Sequence, residues 1–176
     1  MDYEARLDAA LPPGRIAVCV YCAGIGEPFS MDLLRQDVAT LQVNLVGLAR
    51  TVERILPRMA ADGPSVIAGL SSLADVLPAR DGPAYAASKA GMTCYLEGLA
   101  GAVRGTGVSV VNVRLGFVDT KMAKAAWKPL MISADKAAER ILRALLRERP
   151  ARRVNIPRRA AALAAMLAPV ARLAGL

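Results

Sequence analysis

The sequence predicts an α/β fold in which helices pack on a parallel sheet. Three observations predict it. Apolar runs at 16–22, 65–70 and 108–115 are continuous rather than alternating, as strands buried on both faces read. Each run ends in small or polar residues: Ala23-Gly24, Ser71-Ser72 and Gly116. Between the runs lie helix-length segments, long enough for the crossovers that parallel neighbours need.

Along the chain, residues 2–11 carry a short helical pattern that stops at Pro12-Pro13-Gly14. The first strand follows at 16–22. A helical region spans 31–59, with a break expected near Pro57, because proline removes a helix hydrogen bond. Asp62-Gly63-Pro64 introduces the second strand, and a polar loop covers 71–83. A long helix over 83–103 starts with Pro83 in its first turn. Gly105-Thr106-Gly107 leads into the third strand. After a loop with Trp127 and Pro129, Ser133 caps a helix running to about residue 147, with Asp135 in its first turn. A short strand at 154–156 and an Ala/Leu-rich helix over 160–174, interrupted by Pro169, complete the pattern. The 176 residues fit one domain, with 157–176 as a C-terminal helical extension.

Composition excludes several function classes. The chain has no histidine, which rules out a Ser-His-Asp triad, a Cys-His dyad and any histidine metal site. Three cysteines cannot all pair, so a reducing, cytoplasmic setting is expected. Cys19 and Cys22 form a C-x-x-C inside a strand, where they point to opposite faces without the helix start a redox motif needs. The N-terminus begins with acidic and polar residues, not a signal peptide, and no apolar run is long enough for a membrane span.

The net charge of +8 is concentrated between residues 140 and 159, where eight arginines face one glutamate. One reading is a solvated helix face. Another is an anionic partner, with nucleic acid excluded for want of interleaved aromatics. Together with the 160–174 helix, the cluster has the composition of a peripheral membrane contact over 140–176. The competing reading of that helix is a dimer or core element.

Chemistry is expected just beyond the carboxyl ends of the strands. Tyr85 and Lys89 are four apart in the first turns of a helix, so they share a face. A phenol near its ordinary pKa of about 10 is a poor acid–base group at neutral pH. An adjacent ammonium and the positive end of the helix favour the phenolate, so the expectation is a lowered Tyr85 pKa. Ser71 and Ser72 close the second strand, where a reacting carbonyl would be held. Asn44 sits in a helix, and its amide needs a partner, a water or a backbone carbonyl.

These residues resemble the short-chain dehydrogenases/reductases, in order along most of the chain. Tyr21-Cys22-Ala23-Gly24 looks like the family's Asn-Asn-Ala-Gly element with both asparagines replaced. Asn44 falls at its catalytic asparagine, and Leu70-Ser71-Ser72 looks like its serine element. Tyr85-x-x-x-Lys89, thirteen residues after Ser72, is its signature. Arg114-Leu115-Gly116-Phe117-Val118-Asp119-Thr120 looks like its Pro-Gly element with Leu115 for proline.

The resemblance implies a Rossmann-like fold and an NAD(P)(H)-dependent oxidoreductase that interconverts a carbonyl and an alcohol by hydride transfer. NAD and NADP are not distinguished. Tyr85 is then the acid/base, and Ser72 stabilises the reacting oxygen. Lys89 holds the nicotinamide ribose and lowers the Tyr85 pKa, and Asn44 positions a relay water. Ala23, Gly24, Gly116, Val118 and Thr120 line the cofactor, together with Asn44, Tyr85 and Lys89. The substrate meets Ser72, Tyr85, Met122 and Trp127, which suggests an apolar small molecule. A homo-oligomer is also implied.

The family's N-terminal β-α-β-α-β half, with its glycine-rich pyrophosphate turn, has no counterpart here. Gly101, Gly105 and Gly107 mimic its glycine string, but they follow a helix and precede a strand, the reverse of a phosphate loop. The first strand is therefore expected to have an exposed edge. The alternative function is an inactive truncated reductase serving as an interaction or membrane-surface module.

Overall fold

The computed structural model describes residues 3–76, 78–123, 128–157 and 159. In chain order they form α1 (Tyr3–Ala10), β1 (Val18–Tyr21), α2 (Arg35–Leu41), a π-helical turn (Gln42–Val46) and α3 (Gly47–Ala61). Next come β2 (Ser65–Ser72), α4 (Pro83–Ala102), β3 (Val108–Leu115), β4 (Val118–Asp119), β5 (Ile132–Ser133), α5 (Ala134–Leu145) and β6 (Arg153–Ile156). The main sheet runs β1-β2-β3-β6, parallel throughout, and β4 and β5 form a separate two-residue parallel ladder. The expected parallel α/β sheet is thus the observed one.

The sheet is covered on both faces, which explains the unbroken apolar runs. One core joins Leu48, Val52, Ile55 and Met59 of α3 to Met92 and Leu96 of α4 over Ile67. The buried positions of α3 recur every three or four residues, so one stripe of the helix faces the sheet. Gly69 permits the closest approach of α4, since a Cβ there would lie 2.6 Å from Leu96 Cδ1. Each fully buried side chain of this kind contributes roughly 1.5–3 kcal/mol. A second core on the opposite face gathers Ala68, Val111, Val113 and Ile156 with Leu145 of α5.

The helical region at 31–59 departs from the sequence expectation in two ways. Pro57 does not break it, because α3 continues to Ala61. Pro57 is exposed, so the carbonyl left without its N–H partner lies on the solvent side of the helix. The region instead changes pitch at the π-helical turn, where the Gly47 N–H reaches back five residues to the Gln42 carbonyl. Ser133 caps α5 as expected, accepting from the Lys136 N–H at 3.3 Å. The helix expected over 160–174 lies outside the described residues, as does Trp127.

Candidate active site

β2 delivers Ser72 at its last position, and α4 begins eleven residues later with Pro83. Tyr85 therefore falls in the first turn of α4, with Lys89 one turn further on, facing the strand end. The Lys89 Nζ lies 5.6 Å from the centre of the Tyr85 ring. Ser72 hydrogen-bonds the Tyr85 phenol. The Ser72 Oγ also accepts from the Ala74 N–H at 3.1 Å, fixing the turn that leaves the strand.

Lys89 is 5% exposed. Its ammonium donates to the Leu70 carbonyl at 2.8 Å and to Met92 Sδ at 3.6 Å. A lysine has three protons to donate, so one remains for another acceptor. Among the described residues no carboxylate pairs with it. Burial without a counter-charge pushes its pKa down to about 8. The unfolded chain binds this proton up to about pH 10.5. The penalty on stability is therefore full below pH 8, shrinks between pH 8 and 10.5, and is absent above. Lys89→Met is expected to raise stability at pH 7 by at most roughly 3 kcal/mol. Denaturant titrations at pH 7 and pH 10 check this, and an equal gain at both pH values would contradict it.

Tyr85 corrects the sequence expectation. Burial pushes its phenol above the ordinary value, and the Ser72 hydrogen bond offsets only part of that rise. The ammonium that was expected to lower it lies 5.6 Å from the ring centre and is itself buried.

Asn44 is fully buried in the π-helical turn. Its carboxamide reads the backbone of Ile25 twice: Nδ2 donates to the Ile25 carbonyl and Oδ1 accepts from the Ile25 N–H, both at 2.8 Å. Nδ2 also donates to Ser88 Oγ at 2.9 Å, and Ser88 donates to the Tyr85 carbonyl. The partner expected for this amide is thus a backbone carbonyl. Both N–H donors are engaged, which leaves one lone pair on Oδ1. A Cβ on Gly24 would lie 3.4 Å from Lys89 Nζ and 3.5 Å from Asn44 Oδ1, so both polar atoms border one small space beside Gly24.

The remaining sequence-derived positions are less involved. Ala23 is exposed at the mouth of this loop. The Gly116 N–H is taken by the Ile156 carbonyl at 2.8 Å, leaving only its carbonyl for a ligand. Val118 pairs with Ile132, and the Thr120 hydroxyl donates to the Val118 carbonyl at 3.4 Å. Met122 is exposed. Sequence reasoning missed Gly26, Ile25 and Ser88. Gly26 packs under the tyrosine, and a Cβ there would lie 2.6 Å from Tyr85 Cδ2. Gly26→Ala must displace the ring, and a misplacement of about 1 Å costs on the order of 100-fold in rate. The expected result is a fall in kcat of that size with an unchanged circular dichroism spectrum.

Away from this site, Arg140 and Arg143 of α5 and Arg147 just beyond it join Arg153 and Arg159 around a groove of about 770 Å³. Cys19 and Cys22 are free, and burial raises both thiol pKa values. Among the described residues no helix is long and apolar enough to cross a membrane.

The profile of a family described as short chain dehydrogenase matches residues 4–130. A Myxococcus xanthus protein named an uncharacterized oxidoreductase is 32% identical over 111 residues, covering 62% of this chain and 44% of its own. The cis-4-hydroxycyclohexanecarboxylate dehydrogenase of Sinomonas cyclohexanicum is 30% identical over 143 residues, covering 79% of this chain and 56% of its own. The chain thus spans about half the length of these relatives. A short chain dehydrogenase from Burkholderia cenocepacia, solved in complex with NADP, superposes with a TM-score of 0.80. That match has 22% identity and covers 97% of this chain and 72% of the other. At that identity the likeness shows the fold.

Proposed function

Because the chain belongs to the short chain dehydrogenase family, we propose that it serves NAD(P)(H)-dependent interconversion of a carbonyl and an alcohol, with Tyr85 as the acid/base. The observation that carries this reading is the meeting of Ser72, Tyr85 and a carboxylate-free Lys89 at the end of β2.

The residues present fit a nicotinamide nucleotide. The space beside Gly24, bordered by Lys89 Nζ and Asn44 Oδ1, takes a hydroxyl that can both donate and accept, as a ribose offers. Lys89 and Gly24 would hold that ribose. Ala23, the Gly116 carbonyl, Val118 and Thr120 would line the nucleotide further out. When bound, the nicotinamide supplies or receives the hydride.

The residues of the chain handle the proton and the charge. Ser72 donates to the substrate oxygen and orients the Tyr85 phenol toward it. Tyr85 gives its phenolic proton to that oxygen during reduction, and burial raises that phenol above its ordinary value. In the reverse direction it takes the proton back, which high pH assists. Lys89 carries its charge below about pH 8, and there it stabilises the phenolate left behind. Asn44 holds the 23–26 loop against α4. Met122 and Trp127 would contact an apolar substrate. A reduced, cytoplasmic location and a homo-oligomeric state complete this reading, supported by the free cysteines and by the family.

A second reading is a binding module without catalysis, favoured by the outer edge of β1, which pairs with nothing among the described residues. In that reading the arginine groove beside α5 would meet an anionic membrane surface through 140–176. Titration of the 176-residue protein with NADH and NADPH separates the two. Saturable binding that weakens in Lys89→Met supports the first, and no binding of either nucleotide supports the second.

A further inference from the structure

Tyr21 ends β1 as the first residue of Tyr21-Cys22-Ala23-Gly24, and it is 7% exposed. Its hydroxyl does not face the reacting groups. It donates to the carbonyl of Val43, inside the π-helical turn that carries Asn44. Position 47, at the start of α3, is glycine. A Cβ there would collide with the Tyr21 hydroxyl and lie 3.4 Å from its Cζ. The aromatic ring and the missing side chain are therefore complementary.

A π-helical turn inserts one extra residue into the helical register, so its carbonyls are not all satisfied by the regular ladder. A buried unsatisfied carbonyl is costly, and the turn would relax toward α-helix unless something held it. Relaxation would rotate Asn44 away, because one residue of register is about 100° around a helix. Asn44 is the residue whose carboxamide ties Ile25 to Ser88, and through Ser88 to the first turn of α4.

We propose that Tyr21 is a positioning residue: its hydroxyl pins the π-helical turn through the Val43 carbonyl, and Gly47 is the gap that admits it. In this way the end of β1 sets the direction of Asn44. The 23–26 loop and the Tyr85–Lys89 turn inherit their separation from it. Burial pushes the Tyr21 pKa to about 12, so the hydroxyl remains a neutral donor through the working range. The positioning of Asn44 stands on the contacts alone. Its consequence for rate rests on the assignment of Tyr85 as acid/base.

Tyr21→Phe keeps the ring and removes only the hydroxyl, so a ring that merely fills space would not register the change. The measurement is exchange of the Asn44 carboxamide protons by NMR, with circular dichroism as a check on folding. Loss of one hydrogen bond is expected to speed that exchange by about tenfold while amides in β2 and β3 keep their protection. Gly47→Ala tests the clamp from the helix side and should expose the same protons. Adding Tyr21→Phe to Gly47→Ala relieves the collision and should slow exchange again relative to Gly47→Ala alone. If Tyr21→Phe fails to fold, the Gly47→Ala comparison decides: unchanged Asn44 exchange in that variant overturns the proposal. Unchanged exchange in a folded Tyr21→Phe protein overturns it as well. Where the parent protein reduces carbonyls, kcat should fall about tenfold in Tyr21→Phe at constant KM, and an unchanged kcat beside faster Asn44 exchange overturns the consequence for rate. A parent protein with no activity whose Asn44 protons still respond refutes the catalytic assignment and leaves the positioning intact.

Discussion

Tyr85→Phe is expected to lower the rate of carbonyl reduction by roughly 10²–10⁴-fold, the usual contribution of a positioned acid–base group. The substitution removes one oxygen and nothing else. The ring keeps its seat against Gly26, and Ser88 still donates to the backbone carbonyl of residue 85. The loss should therefore appear in kcat, with nucleotide affinity and the circular dichroism spectrum nearly unchanged. Steady-state kinetics with a competent carbonyl substrate measures it. A variant that kept more than about a tenth of the parent kcat would remove Tyr85 from the mechanism.

Asp75→Ala is expected to have the largest effect on stability, about 3–5 kcal/mol. Asp75 lies in the short turn that follows Ser72. Its carboxylate receives two bonds from Arg114 of β3, including Nε to Oδ2 at 2.7 Å, and one from the Thr93 hydroxyl of α4 at 2.6 Å. The side chains of Arg114 and Asp75 are only 9% and 2% exposed. Removing the carboxylate strands a guanidinium out of water, with Asn155 as a distant neutral partner at 3.4 Å. Replacing both residues, as Asp75→Leu with Arg114→Met, should recover most of the loss, because burying the pair carries its own desolvation cost. Urea unfolding of the three variants checks this. Additive losses in the double variant would show that the two side chains act separately.

What could be read from the sequence follows from which signals are local. Tyr85 and Lys89 share a helix face because they are four apart, and Ser72 marks a strand end because the apolar run stops there. Strands β2 and β3 announce themselves by unbroken apolar composition. The π-helical turn gives no such sign, since 42–46 reads as ordinary helix. The clamp proposed for it comes from Tyr21, twenty-two residues before Val43. Gly26 and Ser88 matter through contacts with residues brought close only by folding. The Asp75–Arg114 pair spans thirty-nine positions and was equally silent. The direction of the Tyr85 pKa was misjudged for the same reason. Sequence spacing supplied the neighbouring charge, while burial, which decides the sign, comes from the packed structure. Pro57 misled because its cost depends on whether the helix face beneath it is wet.

The order of strands has a consequence for how the protein is made. In the sheet β1-β2-β3-β6, each strand lies beside the main-sheet strand that precedes it in the chain. The residue pairs Val18 with Val66 and Ser65 with Val108 join stretches separated by little more than one helix and its loops. Every new strand therefore meets a partner that has already left the ribosome. Closing loops of that size sets a moderate folding rate rather than a slow one. The described sheet can grow in one direction as translation proceeds, each strand after β1 docking on the one before it.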